Sequence, residues 1–343
     1  MPGTRLWCMA AALLAALQLA GSCNAAAEAV GVTRAQTATA VARGLDWIDR
    51  HPASIADGGL ADILDEGVGF RVLSLQPGDP TARAGFSARF AARMATLGAL
   101  PEFAQWTAAG QKQLTDYYHL VLAAYLMRES GNPTALQPLI VTQAQWALAN
   151  SPRCDPSKRL SIALYLTRLD AEPGISLPAA LAASRSARIA DGHPPALPAG
   201  TADPAQRRAA ELALYGLVHE IVALTDFGSV PAPPWLDGRR AALAAYLVQA
   251  IAWAAAEENI DLLSELALTA AFIEAPLQEL LPDILQLLVS AQQADGSWGQ
   301  SRTVRANAFR HAVFTATTAL RGLQNGNDTV PDRHLPPGRP ATP

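Results

Sequence analysis

AQQADGSWGQ, residues 291–300, sets a glutamine pair before a D-G turn and a tryptophan between small polar residues. The apolar run LPDILQLLVS (281–290) precedes it, and the helical pattern RANAFRHAVFTATTALRGL (305–323) follows. Asp-Gly is turn chemistry: glycine tolerates the left-handed backbone that closes a helix, and aspartate accepts backbone hydrogens in the turn that follows. The phrase therefore reads as a structural joint, with Gln292 or Gln293 capping backbone groups and Trp298 packing across helix ends.

The tripeptide Ala-Asp-Gly recurs at 56–58, 190–192 and 294–296. Between residues 33 and 323 alanine and leucine dominate, β-branched alternation is absent, and Gly, Pro, Asp and Asn act as punctuation. Helical segments are expected near 33–51, 58–76, 83–99, 112–130, 136–150, 157–171, 175–190, 205–226, 239–257, 259–275, 276–294 and 305–323. Every second midpoint recurs at roughly 43 to 54 residues, the period of a two-helix repeat. Each Ala-Asp-Gly falls between the first and second helix of a pair. The expected fold is all-α, an (α/α)6 toroid of six helix pairs around a central cavity.

The chain has 343 residues, 50% hydrophobic and 16% charged, with net charge −4. That is enough to bury a large core, and the acidic balance argues against nucleic acid as a partner. At the start, Arg5, the apolar run LWCMAAALLAALQLA (6–20) and the small residues after it follow the order of a secretory signal. LAGSC (19–23) resembles a bacterial lipobox with Cys23 as the lipidated residue, while Ala25-Ala26-Ala27 suits ordinary cleavage; both readings stand. The expected organisation is a signal at 1–23, a linker at 24–32, the toroid at 33–323 and a disordered tail at 324–343. An exported protein, periplasmic or an outer-membrane lipoprotein held through its lipid, is implied. Cys154 alone remains in the mature body, so neither a disulfide framework nor a cysteine metal site is possible.

The second helix of each pair is apolar on nearly every side except for one thin polar line. These lines are Asp62 and Glu66; Thr115 and His119; Ser161, Tyr165 and Arg168; Glu211, Tyr215, His219 and Asp226; Asp261, Ser264, Glu265 and Thr269; and Asn307, His311, Thr315 and Thr318. Spacings of three, four and seven hold each line to one helix face. Polar groups on buried helices must be paired or wet, so these faces should line a shared cavity.

With these lines in place, LLVSAQQADGSWGQ (287–300) and the helix after it resemble the repeats of the terpenoid cyclase and protein prenyltransferase superfamily. HEIVALTDFG (219–228), DLLSEL (261–266) and HAVFTATTAL (311–320) look like an uncharacterised bacterial branch of such toroids. The resemblance implies inner helices around a cavity open at one end. It does not carry the cyclase activity, because no D-x-D-D or D-C-T-A-E motif is present, nor the prenyltransferase zinc site, because no cysteine stands near DLLSEL.

The sharpest candidate for chemistry is His219, Asp261 and His311 as ligands of a divalent metal, zinc or iron, with Glu265 as general base or fourth ligand. His119, Tyr215, Asn307 and Thr315 complete the expected pocket. The alternative for each histidine is a hydrogen-bonded core residue. A second set, Asp62, Glu66, Asp261 and Glu265, offers an acid and a base for glycan cleavage, with Glu66 and Glu265 as the catalytic pair. Three functions follow: a metal-dependent enzyme acting on a small or prenyl-like molecule, a periplasmic glycan hydrolase or lyase, or a non-enzymatic envelope protein binding a lipid, small molecule or protein.

Overall fold

Three helices start with the same two residues, Asp then Pro: Asp79-Pro80, Asp155-Pro156 and Asp203-Pro204. In each the aspartate accepts backbone N–H groups of the first turn, while proline fills a position whose N–H would have no helical partner. The computed structural model describes residues 32–56, 59–110, 112–151, 155–198, 202–300 and 309–328. Cys23 and the expected signal, Cys154, Asn307 and residues 329–343 lie outside them.

Among the described residues the chain is all-α, with fourteen α-helices and no strand. They are α1 (Arg34–Arg50), α2 (Gly59–Leu75), α3 (Pro80–Ala99), α4 (Pro101–Ala108), α5 (Leu114–Glu129), α6 (Gln137–Asn150), α7 (Pro156–Arg168), α8 (Leu177–Ala182), α9 (Arg185–Ala190), α10 (Pro204–Thr225), α11 (Arg240–Ala256), α12 (Ile260–Phe272), α13 (Leu281–Ala291) and α14 (Arg310–Asp328). A 3-10 turn, Pro234–Leu236, precedes α11. From Thr33 onward the chain is one compact unit.

The twelve expected segments gain two helices, for local reasons. Pro101 starts α4, which lies between the expected segments 83–99 and 112–130. The segment 175–190 breaks in two at Ser184, whose hydroxyl caps Ala187 N at 3.1 Å. There the buried carboxylate of Glu220 accepts Arg185 N and Ser186 N, both at 2.8 Å, and so satisfies the first amides of α9 from outside the helix. Residues 276–280 are not α-helical, and α13 begins at Leu281, before Pro282. At the other end α14 runs to Asp328, past Leu323 and into the expected tail.

Six helices pack in an order that returns to its start: α2 against α5, α5 against α7, α7 against α10, α10 against α12, α12 against α14, and α14 against α2. Their side-chain contacts also give direction. Near the helix starts, Lys158 of α7 meets Thr115 of α5, and Thr315 of α14 meets Asp261 of α12. Near the ends, Tyr125 of α5 donates to Asp226 at the close of α10 (2.7 Å), and Arg71 of α2 pairs with Glu129, the last residue of α5 (3.5 Å); Gln76, just after α2, donates to Thr318 O midway along α14 (2.7 Å). The six helices therefore run parallel. Burial agrees: residues Leu120 to Met127 of α5 are all buried, as are Ile260 to Ala267 of α12, so these helices have protein on every side.

The other long helices flank this set, α1 against α14, α3 against α2, α6 against α5, α11 against α12 and α13 against α12 and α14. The phrase at 291–300 joins the last of them to the first. Trp298 is fully buried, its indole N–H donating to Leu288 O at 2.8 Å. Gln292 donates to Ala40 O (2.8 Å) and Arg43 to Ala294 O (2.9 Å). Gly296 has φ 98°, and a Cβ there would stand 2.5 Å from Arg43 O, so the turn requires glycine on both counts.

Candidate metal centre

Asn259 caps α12 by accepting Leu262 N (3.1 Å), and Ile260 N donates to Gln300 O (2.9 Å), so the Trp298 segment fixes where this helix begins. Asp261 then falls in the first turn, where the helix dipole favours negative charge, and Glu265 lies one turn on along the same face. Both oxygens of Asp261 are held: Oδ1 accepts from Thr315 (3.0 Å) and Oδ2 from Tyr215 (2.8 Å).

His311 enters from the first turn of α14. Its Nε2 lies 2.8 Å from Glu265 Oε1 and 3.8 Å from Asp261 Oδ1, and its Nδ1 faces Asp65 Oδ2 of α2 at 3.3 Å. One ligand atom each from Asp261, Glu265 and His311 lie within 4.8 Å of one another. Donors about 2.1 Å from one ion in a tetrahedron stand about 3.4 Å apart, so the observed separations bracket that value. Glu265 Oε2 is buried without a hydrogen-bond partner. A buried oxygen of this kind calls for an explanation, and a proton or a cation would supply one. These residues could hold a metal ion.

The electrostatics follow from burial and proximity. Burial, reinforced by Asp261 and Asp65 and opposed by the bond to His311, pushes the Glu265 carboxyl up to about 7. Burial alone would lower His311, but Asp261, Asp65 and Glu265 outweigh it and hold the imidazole well above its ordinary value. Asp65 would likewise rise on burial, yet its hydrogen bond to His311 and the neighbouring imidazoles bring it down. The side chains of His311 and Asp65 remain 31% and 35% exposed, so water reaches the group although it stands deep among helices. Two cavities, about 520 Å³ beside the end of α7 and about 290 Å³ between α1 and α13, lie elsewhere on the surface.

The expected residues sort as follows. Asp261, Glu265, His311, Tyr215 and Thr315 come together. His219 does not join the three ligand atoms: it stands on α10 with its ring stacked on Tyr118 of α5 at 5.4 Å, and burial together with His311, His119 and Lys158 lowers it to about 4. His119 of α5 lies between Trp106 (6.4 Å) and Tyr118 (5.3 Å), and burial lowers it too. Glu66 points away from the centre, paired with Arg93 of α3 (2.8 Å) and accepting Ala53 N (2.7 Å), while Asp62 faces Arg310 (3.6 Å). Glu66 is thus engaged by Arg93 and Ala53 and does not stand in the group that Glu265 forms with Asp261 and His311. Asp226 is a left-handed helix end tied to Tyr125 and Ser229, a structural part.

Asp65 and Lys158 were not singled out from the sequence. Asp62 and Glu66 are one turn apart, but so are Asp62 and Asp65, and the spacing alone does not choose between adjacent carboxylates.

Comparison with known families gives one match: the model described as a domain of unknown function (DUF6895) fits residues 70–319. That span contains Asp261, Glu265 and His311; Asp65 precedes it. No curated protein and no solved structure matches the chain.

Proposed function

The chain belongs to the DUF6895 family, and since that description carries no chemistry, we propose a function from this chain's own residues: an (α/α)6 toroid whose open end holds a divalent metal, zinc or iron, and acts as a metal-dependent enzyme on a small molecule. The single observation that carries this reading is the convergence of Asp261, Glu265 and His311 from two adjacent helices, with Asp65 behind the imidazole. The cyclic packing order and parallel direction of α2, α5, α7, α10, α12 and α14 support the toroid.

A bound zinc or iron ion would polarise a substrate oxygen or lower the pKa of a water. The protein's own part is separate. Tyr215 and Thr315 fix both oxygens of Asp261, and Asp65 accepts from His311 Nδ1, leaving Nε2 turned toward the carboxylates. This carboxylate–imidazole arrangement sets ring orientation and basicity. Beside it Phe309 is exposed, its ring 6.1 Å from the imidazole, which gives an apolar part of a substrate, such as a prenyl-like chain, something to lie against.

Elemental analysis of the protein purified without chelator tests the reading. About one equivalent of zinc or iron is expected in the wild type and none in His311→Ala or Glu265→Gln; metal retained equally in both variants sinks it. We place the protein in the cell envelope, attached through Cys23. Among the described residues no helix is long and apolar enough to cross a membrane. Fractionation of Cys23→Ala tests the tether: the variant should leave the membrane fraction.

A further inference from the structure

Only two of the 26 basic residues are lysines, Lys112 and Lys158. Lys112 caps the end of α4 through Thr107 O and Ala109 O. Lys158 is different. It is half-buried in the first turn of α7, and among the described residues its ammonium has one hydrogen-bond partner, the Thr115 hydroxyl, and no carboxylate within ion-pair distance. An ammonium carries three donors, so this leaves donors over.

Its placement runs against local preference. A cation in the first turn of a helix opposes the helix dipole, and partial burial adds a desolvation cost. The acidic residues at these helix starts are already engaged: Asp116 accepts Gln113 N (3.1 Å), and Asp155 is paired with Arg185 (3.0 Å). Lys158 reaches Thr115, one turn before His119 on α5; Ser161, one turn after Lys158 on α7, donates to His219 O of α10 (3.3 Å), and the His219 ring stacks on Tyr118 (5.4 Å) beside His119. Each imidazole carries at least one N–H donor whatever its charge. A cation and two imidazoles thus gather on the neighbouring helices α5, α7 and α10, in the same cycle of helices as Asp65 on α2 and Asp261 and Glu265 on α12.

We propose that Lys158, His119 and His219 form an oxyanion subsite, and that the substrate of the central site carries a phosphate or carboxylate group received there while its reacting end meets Asp261, Glu265 and His311. This rests on the reading that the open end of the helix ring is the working site, but not on the metal itself.

The probes are inorganic phosphate and acetate, titrated into the chelator-treated full chain by calorimetry while His219 is followed by NMR. Saturable binding of at least one is expected, and whichever binds more tightly identifies the group. Lys158→Met should weaken it tenfold or more and Lys158→Arg should recover most of it. Bound anion should raise the His219 titration midpoint, a shift that a purely structural lysine would not produce. Circular dichroism checks that each variant is folded. Binding that is unchanged within twofold in folded Lys158→Met, or no saturable binding of either anion by the wild type, overturns the proposal. Lys158-dependent binding in a protein that purifies without metal upholds the subsite and removes the metal reading; one equivalent of metal with Lys158-independent binding does the reverse.

Discussion

Replacing Asp65 gives the most informative single test of the centre. Asp65 meets the ligand group at His311 Nδ1, 3.3 Å away. Removing a carboxylate in this position typically costs 10–100-fold in metal affinity, about 1.4–2.8 kcal/mol. Asparagine keeps the shape and an accepting oxygen, so Asp65→Asn should lie near the tenfold end and Asp65→Ala near the hundredfold end. A second effect opposes the first. Metal must displace the His311 proton, and every pH unit below the folded imidazole's value costs about 1.4 kcal/mol of binding. Asp65 is one of the groups that hold that value high, so its loss weakens the proton as competitor. The deficit of the variant should therefore be largest in alkaline solution and shrink as the pH falls from 9 toward 6. Competition with a chromophoric chelator across that range measures it. Variants within twofold of wild type at every pH, or a deficit that grows in acid, would refute an orienting role for Asp65.

Other outcomes follow from the packing. Trp298→Ala should cost about 4–6 kcal/mol, the sum of a large-to-small core change and a lost hydrogen bond to Leu288 O, and lower the melting temperature by roughly 10–20 °C in circular dichroism. Glu66→Gln breaks a pair whose carboxylate is 2% exposed and whose guanidinium is 22% exposed, so a loss of about 2–3 kcal/mol is expected with metal content unchanged; loss of metal would show that Glu66 belongs to the centre. Asp155 is held below its ordinary value because Arg185 and Ser157 outweigh burial. A depressed carboxyl contributes stability above its unfolded value that is lost as pH falls through the folded one. Asp155→Asn, which keeps a good helix cap, should thus cost about 1 kcal/mol or less at pH 7, and that cost should shrink in urea melts as the pH falls below the ordinary carboxylate value.

Helix positions were legible because breakers are local: Asp-Pro starts and Gly turns mark boundaries whatever lies across the core. Ser184 was not read as a break because its cause is distant, a carboxylate on α10 that holds α9 open. The polar lines likewise pointed to Asp261, Glu265, His311, Tyr215 and Thr315. They also included hydroxyls with nothing to do there: Ser264, Thr269 and Thr318 donate to carbonyls of their own helices, a resolution no spacing rule can foresee. The choice of Glu66 over Asp65 turns on about 100° of helix rotation. What decides it is packing: a Cβ on Gly67 would strike Met94 of α3 and one on Gly69 would strike Phe314 of α14, so adjacent positions face different neighbours. His219 had the right residue type and face, but Tyr118 occupies its ring, and α12 and α14 supply the ligands.

Because the six central helices run parallel, every one begins at the same end of the molecule, and that end differs in kind from the other. Where they begin stand ionisable groups that water can reach; where they finish stand ties such as Tyr125 to Asp226 and Arg71 to Glu129. A lineage of such proteins can therefore exchange its chemistry at one end without renegotiating its stability at the other.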